Sequence, residues 1–118
     1  MLYTTYFANL STLALDITPI SICGKAPEGY KGLQYKKLAP KWAFFSEWKR
    51  NHDNHYYVQC FNEQVLSKLD AQAVYEELVA LAHNTDIALV CYEKPEDFCH
   101  RHLVANWFRE NGVQIREW

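Results

Sequence analysis

Cys91, Cys99 and His100 belong to one run, Cys91-Tyr92-Glu93-Lys94-Pro95-Glu96-Asp97-Phe98-Cys99-His100-Arg101, which also carries two cations and three carboxylates. Three chemistries could use such a group. A helix N-terminus beside Lys94, Arg101 and a nearby Lys25 suits a phosphate or carboxylate, because free N–H groups and a partial positive charge meet the anion and arginine adds a two-pronged fork. Cys99 at a helix mouth, flanked by His100, is in the setting that lowers a thiol pKa and gives it a proton acceptor. Cys91, Cys99 and His100 are also metal-ligand types, but their spacing is irregular and unlike the paired C-x-x-C of zinc ribbons, so no metal and no cofactor are assigned. Against all three stands a plain account: a solvated turn with Asp97 as helix cap, and Cys99 and His100 as small buried residues with satisfied partners.

These residues need elements that present them. Ile87 to Cys91 is an uninterrupted apolar run of strand length, and Phe98 to Asn111 carries Leu103, Val104, Trp107 and Phe108 at helical spacing. Four places before Leu103 and Val104 lie Cys99 and His100, which points that pair inward; Arg101 and His102 fall on the opposite side, nearer solvent. Gly112 reads as the left-handed stop of the helix and Val113 to Glu117 as a last strand. A strand-helix-strand unit implies parallel strands, and the strand from Ile87, apolar throughout, belongs at the centre of the sheet.

Upstream, Leu2 to Phe7 reads as a strand, Ser11 or Thr12 caps one helical turn through Leu15, and Ile17 to Cys23 reads as a second strand in which Pro19 calls for a start or an edge. If that strand lies parallel and next to the Ile87 strand, Cys23-Gly24-Lys25 comes beside Cys91-Tyr92-Glu93, in the crevice where open α/β sheets bind ligands. The crevice gathers Glu93, Cys99 and His100 as catalytic candidates, and Lys25, Lys94, Arg101, Cys91 and Tyr92 as ligand-binding ones. Gly24 to Pro40 has no steady period and reads as a long loop, after which Pro40 opens a helix to about Asn51. Its Trp42, Phe45 and Trp48 are read as core, with a base-stacking platform as the lesser use. Asp53 caps a helix with Tyr57, Phe61 and Val65 up to Leu69; Asp70 caps another with Val74, Leu78 and Leu81, leaving at His83-Asn84. The expected architecture is a single α/β domain, residues 1–118, with a mostly parallel three- to four-stranded sheet flanked by helices, Rossmann-like.

The bulk properties narrow the function classes. A chain of 118 residues with 49% apolar residues and a net charge of −2 is an ordinary globular protein with one core. The near-neutral balance speaks against a protein that grips long nucleic acid by counterion release, although Lys31, Lys36, Lys37, Lys41, Lys49 and Arg50 form a local basic stretch. No window has the apolar length of a membrane helix or the layout of a signal peptide, so no membrane partner and a cytoplasmic location are expected. Cys23, Cys60, Cys91 and Cys99 are too widely spaced for a disulfide framework and are expected to be free thiols, Cys60 in the core; His52, His55 and His83 are expected at the surface.

Ile87-Ala88-Leu89-Val90-Cys91-Tyr92-Glu93-Lys94 followed by Cys99-His100-Arg101-His102-Leu103-Val104-Ala105 resembles the hallmark of the bacterial and phage proteins known as domain of unknown function 488. The resemblance is specific over these residues and looser through Leu38-Ala39-Pro40 and the two central helices. Members of that family open with a strand ending in an Asp-Val-Arg type motif, whereas the corresponding place here reads Ser21-Ile22-Cys23-Gly24-Lys25, so Lys25 stands for the family's cation. The resemblance implies a compact α/β fold and a site at Glu93, Lys94, Cys99, His100 and Arg101, without supplying a reaction. The leading expectation is binding of a small anionic ligand, a nucleotide or a nucleic-acid end, at that crevice, with thiol or imidazole chemistry as an added step. The competing expectation is a phage or mobile-element accessory protein that modulates a host enzyme through the Gly24 to Pro40 loop and the basic helix.

Overall fold

Ile, Leu, Thr and Tyr fill most of the strand positions, types whose branched or flat side chains suit a pleated surface. The computed structural model describes residues 1–118 and contains β1 (Leu2–Tyr6), β2 (Ile17–Ser21), β3 (Leu33–Gln34), β4 (Asp86–Cys91) and β5 (Ile115–Glu117). They form one sheet of order β3-β2-β4-β1-β5, and every pairing is parallel. β4 is central, and none of Ile87 to Cys91 is more than 4% exposed, as its unbroken apolar run requires. β5 pairs with β1 rather than with β4, so the last strand-helix-strand unit steps over β1.

Four helices complete the fold: α1 (Trp42–Asn51), α2 (Asn54–Gln64), α3 (Ala71–Leu81) and α4 (His100–Glu110). Phe61 of α2, Val74 and Leu78 of α3, and Val104 and Phe108 of α4 share one core with Ile20, Ile87 and Leu89 of the sheet. None of the helices is long and apolar enough to cross a membrane. The chain is thus an α/β protein of Rossmann-like build.

The caps form where the sequence places them. Asp53 accepts from the Tyr56 amide at 3.1 Å and Asp70 from the Ala73 amide at 2.9 Å, each satisfying one of the donors a helix start leaves free. Asp53→Ala and Asp70→Ala are each expected to cost about 1 kcal/mol of stability. Urea midpoints unchanged in both variants would show that water serves these amides equally well. At the exit of α3, His83 and Asn84 both take the left-handed conformation, and Gly112 does so after α4.

Several expectations are corrected. The Gly24 to Pro40 segment contains β3 and a tight helical turn at Lys36–Leu38. The sheet accordingly has five strands instead of three or four. α1 starts at Trp42 with Lys41 before it, so Pro40 lies outside the helix, and α2 stops at Gln64, ahead of a separate short turn at Leu66–Lys68. The first helical turn begins at Phe7 rather than Ser11, leaving Leu15 fully exposed. Pro19 lies at neither the start nor the edge of the sheet: β2 runs between β3 and β4, but β3 pairs only from Ile20 onward, so Pro19 has no ladder partner to lose on that side.

Candidate functional site

β2 and β4 are parallel neighbours, with Ser21 opposite Val90, and the Ile22 amide still bonds to the Val90 carbonyl at 3.1 Å. The chain therefore leaves both strands at the same edge, and Cys23 packs against Cys91 and Cys99 in a small buried cluster of three cysteines. Tyr92 donates its hydroxyl to the Lys25 carbonyl at 2.6 Å, tying the two strand exits together, and Lys36 holds the Gly24 carbonyl at 2.8 Å.

α4 enters this edge with Cys99 as its preceding residue and without a side-chain cap, in contrast to α2 and α3, and its first turn carries no acidic residue. His100, 5% exposed, donates from Nε2 to the Ile22 carbonyl at 2.8 Å. A carbonyl oxygen can only accept, so Nε2 carries the proton and Nδ1 presents a lone pair. That lone pair faces two sulfurs, Cys91 Sγ at 3.5 Å and Cys99 Sγ at 4.0 Å. Burial, reinforced by the charges of Arg101 and His102, pushes the His100 pKa down to about 4, so the ring is neutral at physiological pH.

The thiols divide by environment. Cys91 and Cys99 bring their sulfurs into bonding contact, with Cα atoms 7.3 Å apart, while Cys23 and Cys60 are free. The expectation of free thiols is corrected for that pair. A Cα separation above the usual 4.4 to roughly 6.8 Å means that a relaxed disulfide there would draw the backbones together. Burial lifts Cys23 to about pKa 11, with the Glu93 carboxylate adding to the effect against the lowering hydrogen bond to Ser21, so this thiol stays protonated.

The floor made by Cys91, Cys99 and His100 opens into a cavity of about 1000 Å³. Lys25 and Glu93 line it as the sequence predicts, together with Tyr92. The opposite wall is aromatic, from Trp42, Phe45, Trp48, Tyr57 and Phe98, and adds Lys49. Burial raises the pKa of the Tyr57 hydroxyl, helped by nearby Cys23 and Glu93, so it remains a neutral phenol. Reading Trp42 and Phe45 as core is corrected, since Phe44 is the buried residue of α1 and Trp42 is 71% exposed, whereas Trp48, partly buried, does pack against the core.

Two expected cations are placed elsewhere. Lys94 is exposed in the turn and does not line the cavity. Arg101, expected near solvent, is fully buried. Its Nη2 and Nε grip the two carboxylate oxygens of Glu117 at 2.9 and 3.2 Å, and its Nη1 donates to the Glu93 carbonyl at 2.5 Å. The physical reason is that α4 is buried on two faces: Arg101 lies in line with Ala105 and Phe108, beside the stripe of His100 and Val104. Asp97 does not cap the helix, which starts three residues later.

Comparison with curated proteins and comparison with solved structures each found no match. A family model described as the active DUF488-N3 subclade, DUF488-N3a, matches residues 9–112. That span takes in the sheet edge, the turn after β4 and all four helices, and the chain belongs to the DUF488 family.

Proposed function

We propose that the cavity binds a small anionic ligand, a nucleotide or the terminus of a nucleic acid, and that the ligand is acted on at the Cys91, Cys99 and His100 floor. The observation that supports this best is convergence. Two buried sulfurs and a neutral imidazole with its lone pair directed at them form one end of a cavity of about 1000 Å³, whose mouth carries Lys25 and Lys49. A cavity of that size suits a drug-sized molecule, and a site with few polar groups on mostly apolar walls is the common form of a small-molecule pocket.

The charge in the cavity is balanced, with Glu28 and Glu93 facing Lys25 and Lys49. The anion is therefore held by placement more than by net charge: the uncapped start of α4 offers free amides, and Lys25 supplies the point charge at the rim. Glu93, its backbone fixed by Arg101, is placed to orient a ligand hydroxyl. Arg101 acts as a positioning residue. His100 Nδ1 can take a proton or offer its lone pair, which makes it and Cys99 the pair to test for chemistry. Lys36 and Lys37, on which the host-protein reading would depend, are engaged with the Gly24 carbonyl and with Glu77.

Lys25→Ala and Lys49→Ala together are expected to weaken binding from a panel of nucleotides and short oligonucleotides by at least tenfold, measured by calorimetry, with circular dichroism unchanged. A panel that gives no binder to the wild-type protein, or one bound equally by the double variant, would sink the anion reading.

A further inference from the structure

Cys91 Sγ, Cys99 Sγ and His100 Nδ1 lie within 4.8 Å of one another, and all three residues are buried. We infer that in the reduced protein these atoms form a three-donor site for a thiophilic divalent cation such as Zn²⁺, with its remaining position open to the cavity. The inference rests on the reading of that cavity as the ligand site and assigns a chemical role to its floor.

Three observations carry it. The donor types suit such a cation: two thiolates and one imidazole are the ligands that borderline-soft metals prefer, and a set of three protein donors is the pattern of metals that keep an exchangeable position. The imidazole is already oriented. Its Nε2–H is held by the Ile22 carbonyl at 2.8 Å, the outer hydrogen bond by which proteins usually fix the tautomer and ring direction of a ligating histidine. The donors also come from two rigid places, the end of the central strand and the mouth of α4, so once Cys91 and Cys99 are reduced and part, a small separation of the sulfurs brings all three around one point.

The cavity side stays open. Cys23 belongs to the same buried thiol cluster but not to the group of mutually close donor atoms, so it is not assigned as a fourth ligand. Glu93 lines the same cavity but is not among the mutually close donor atoms, so it too is not assigned as a ligand. On uptake one divalent cation enters and the two thiol protons leave, with no change of oxidation state. Oxidation of Cys91 and Cys99 to a disulfide removes both sulfur donors and abolishes the site.

The test is titration of the reduced, chelator-stripped protein with Co²⁺, followed by displacement with Zn²⁺. One Co²⁺ per chain is expected, with thiolate-to-cobalt charge-transfer absorption and d–d bands of a four-coordinate ion. Zn²⁺ should erase both and raise the unfolding temperature. Cys91→Ser and Cys99→Ser should each abolish the thiolate band and the Zn²⁺ stabilisation, the disulfide form should lack both, and Cys60→Ser should keep both. Absence of the band in the wild-type protein, or its survival in Cys91→Ser and Cys99→Ser, overturns the site. This wild-type readout does not depend on any variant folding. Loss of the band in Cys23→Ser would mean a closed, four-ligand site and overturns the open position. A nucleotide panel run in parallel separates the two ideas: a cobalt site without nucleotide binding sinks the anion reading alone, and nucleotide binding without a cobalt site sinks this one alone.

Discussion

Arg101→Ala is expected to destabilise the fold by about 3 kcal/mol, read as a fall in the urea midpoint. The guanidinium is fully buried and makes three hydrogen bonds, two of them a parallel fork onto Glu117. Glu117 Oε1 also accepts from Thr4 at 2.6 Å, so one arginine joins the first turn of α4, β5, β1 and the turn after β4. Breaking a buried ion pair by removing one partner costs roughly 3 to 5 kcal/mol, chiefly because the other charge is left stranded. Here the stranded group is Glu117, whose side chain keeps 29% of its exposure, so water can recover part of the loss and the lower end of the range applies. The converse change, Glu117→Ala, strands a fully buried cation and is expected to cost at least as much. Arg101→Lys keeps the charge but loses the fork and falls between wild type and Arg101→Ala. A cost below about 1 kcal/mol for Arg101→Ala, together with weakened ligand binding, would return Arg101 to the ligand and remove it from the clamp.

The same residue shows what the sequence could and could not disclose. The strand, turn and helix around the site are legible because each rests on a local rule: an apolar run of strand length, a 3.6-residue period, a glycine at the helix stop. The meeting of Cys23 with Cys91 was legible too, given one assumption about strand order that the β2 and β4 pairing meets. Arg101 was not, because its partner lies on a strand that pairs with β1 and comes to it only in three dimensions. An arginine is usually solvated, and nothing local distinguishes the one whose carboxylate is supplied by the fold. β3 escaped for another reason. Two residues, Leu33 and Gln34, are too few to show a period of two, and their strand character is imposed by the edge of β2. The aromatic wall was misplaced because burial of a helix face is a tertiary outcome: Phe44 and Phe45 are adjacent in sequence, yet one enters the core and the other the cavity.

Acidification is expected to erode stability between about pH 6.5 and pH 4 by on the order of 3 kcal/mol more than in a protein lacking His100. In the unfolded chain the imidazole takes up a proton near pH 6.5; in the fold it resists until about pH 4. Within that window the unfolded state binds more protons than the native one, so falling pH favours unfolding. The full contribution is present above pH 6.5, and the slope vanishes below pH 4, where both states are protonated. Burial is the main cause; the Ile22 carbonyl, which accepts from Nε2–H, opposes it, and the flanking Arg101 and His102 add to it. His102 adds a smaller dependence of the same sign, since burial and Arg101 also hold its pKa down. Glu77, kept below the usual carboxylate range by Lys37 and Tyr35, loses its contribution only at lower pH, and it does so equally in a variant. The comparison that isolates His100 is therefore wild type against His100→Gln, whose amide can still donate to the Ile22 carbonyl. Urea midpoints measured from pH 7 to pH 4 should fall more steeply for the wild type, with the two curves approaching each other at the acid end. Parallel curves would mean that the imidazole is as easily protonated in the fold as out of it, and would contradict a neutral ring whose Nδ1 lone pair faces Cys91 and Cys99.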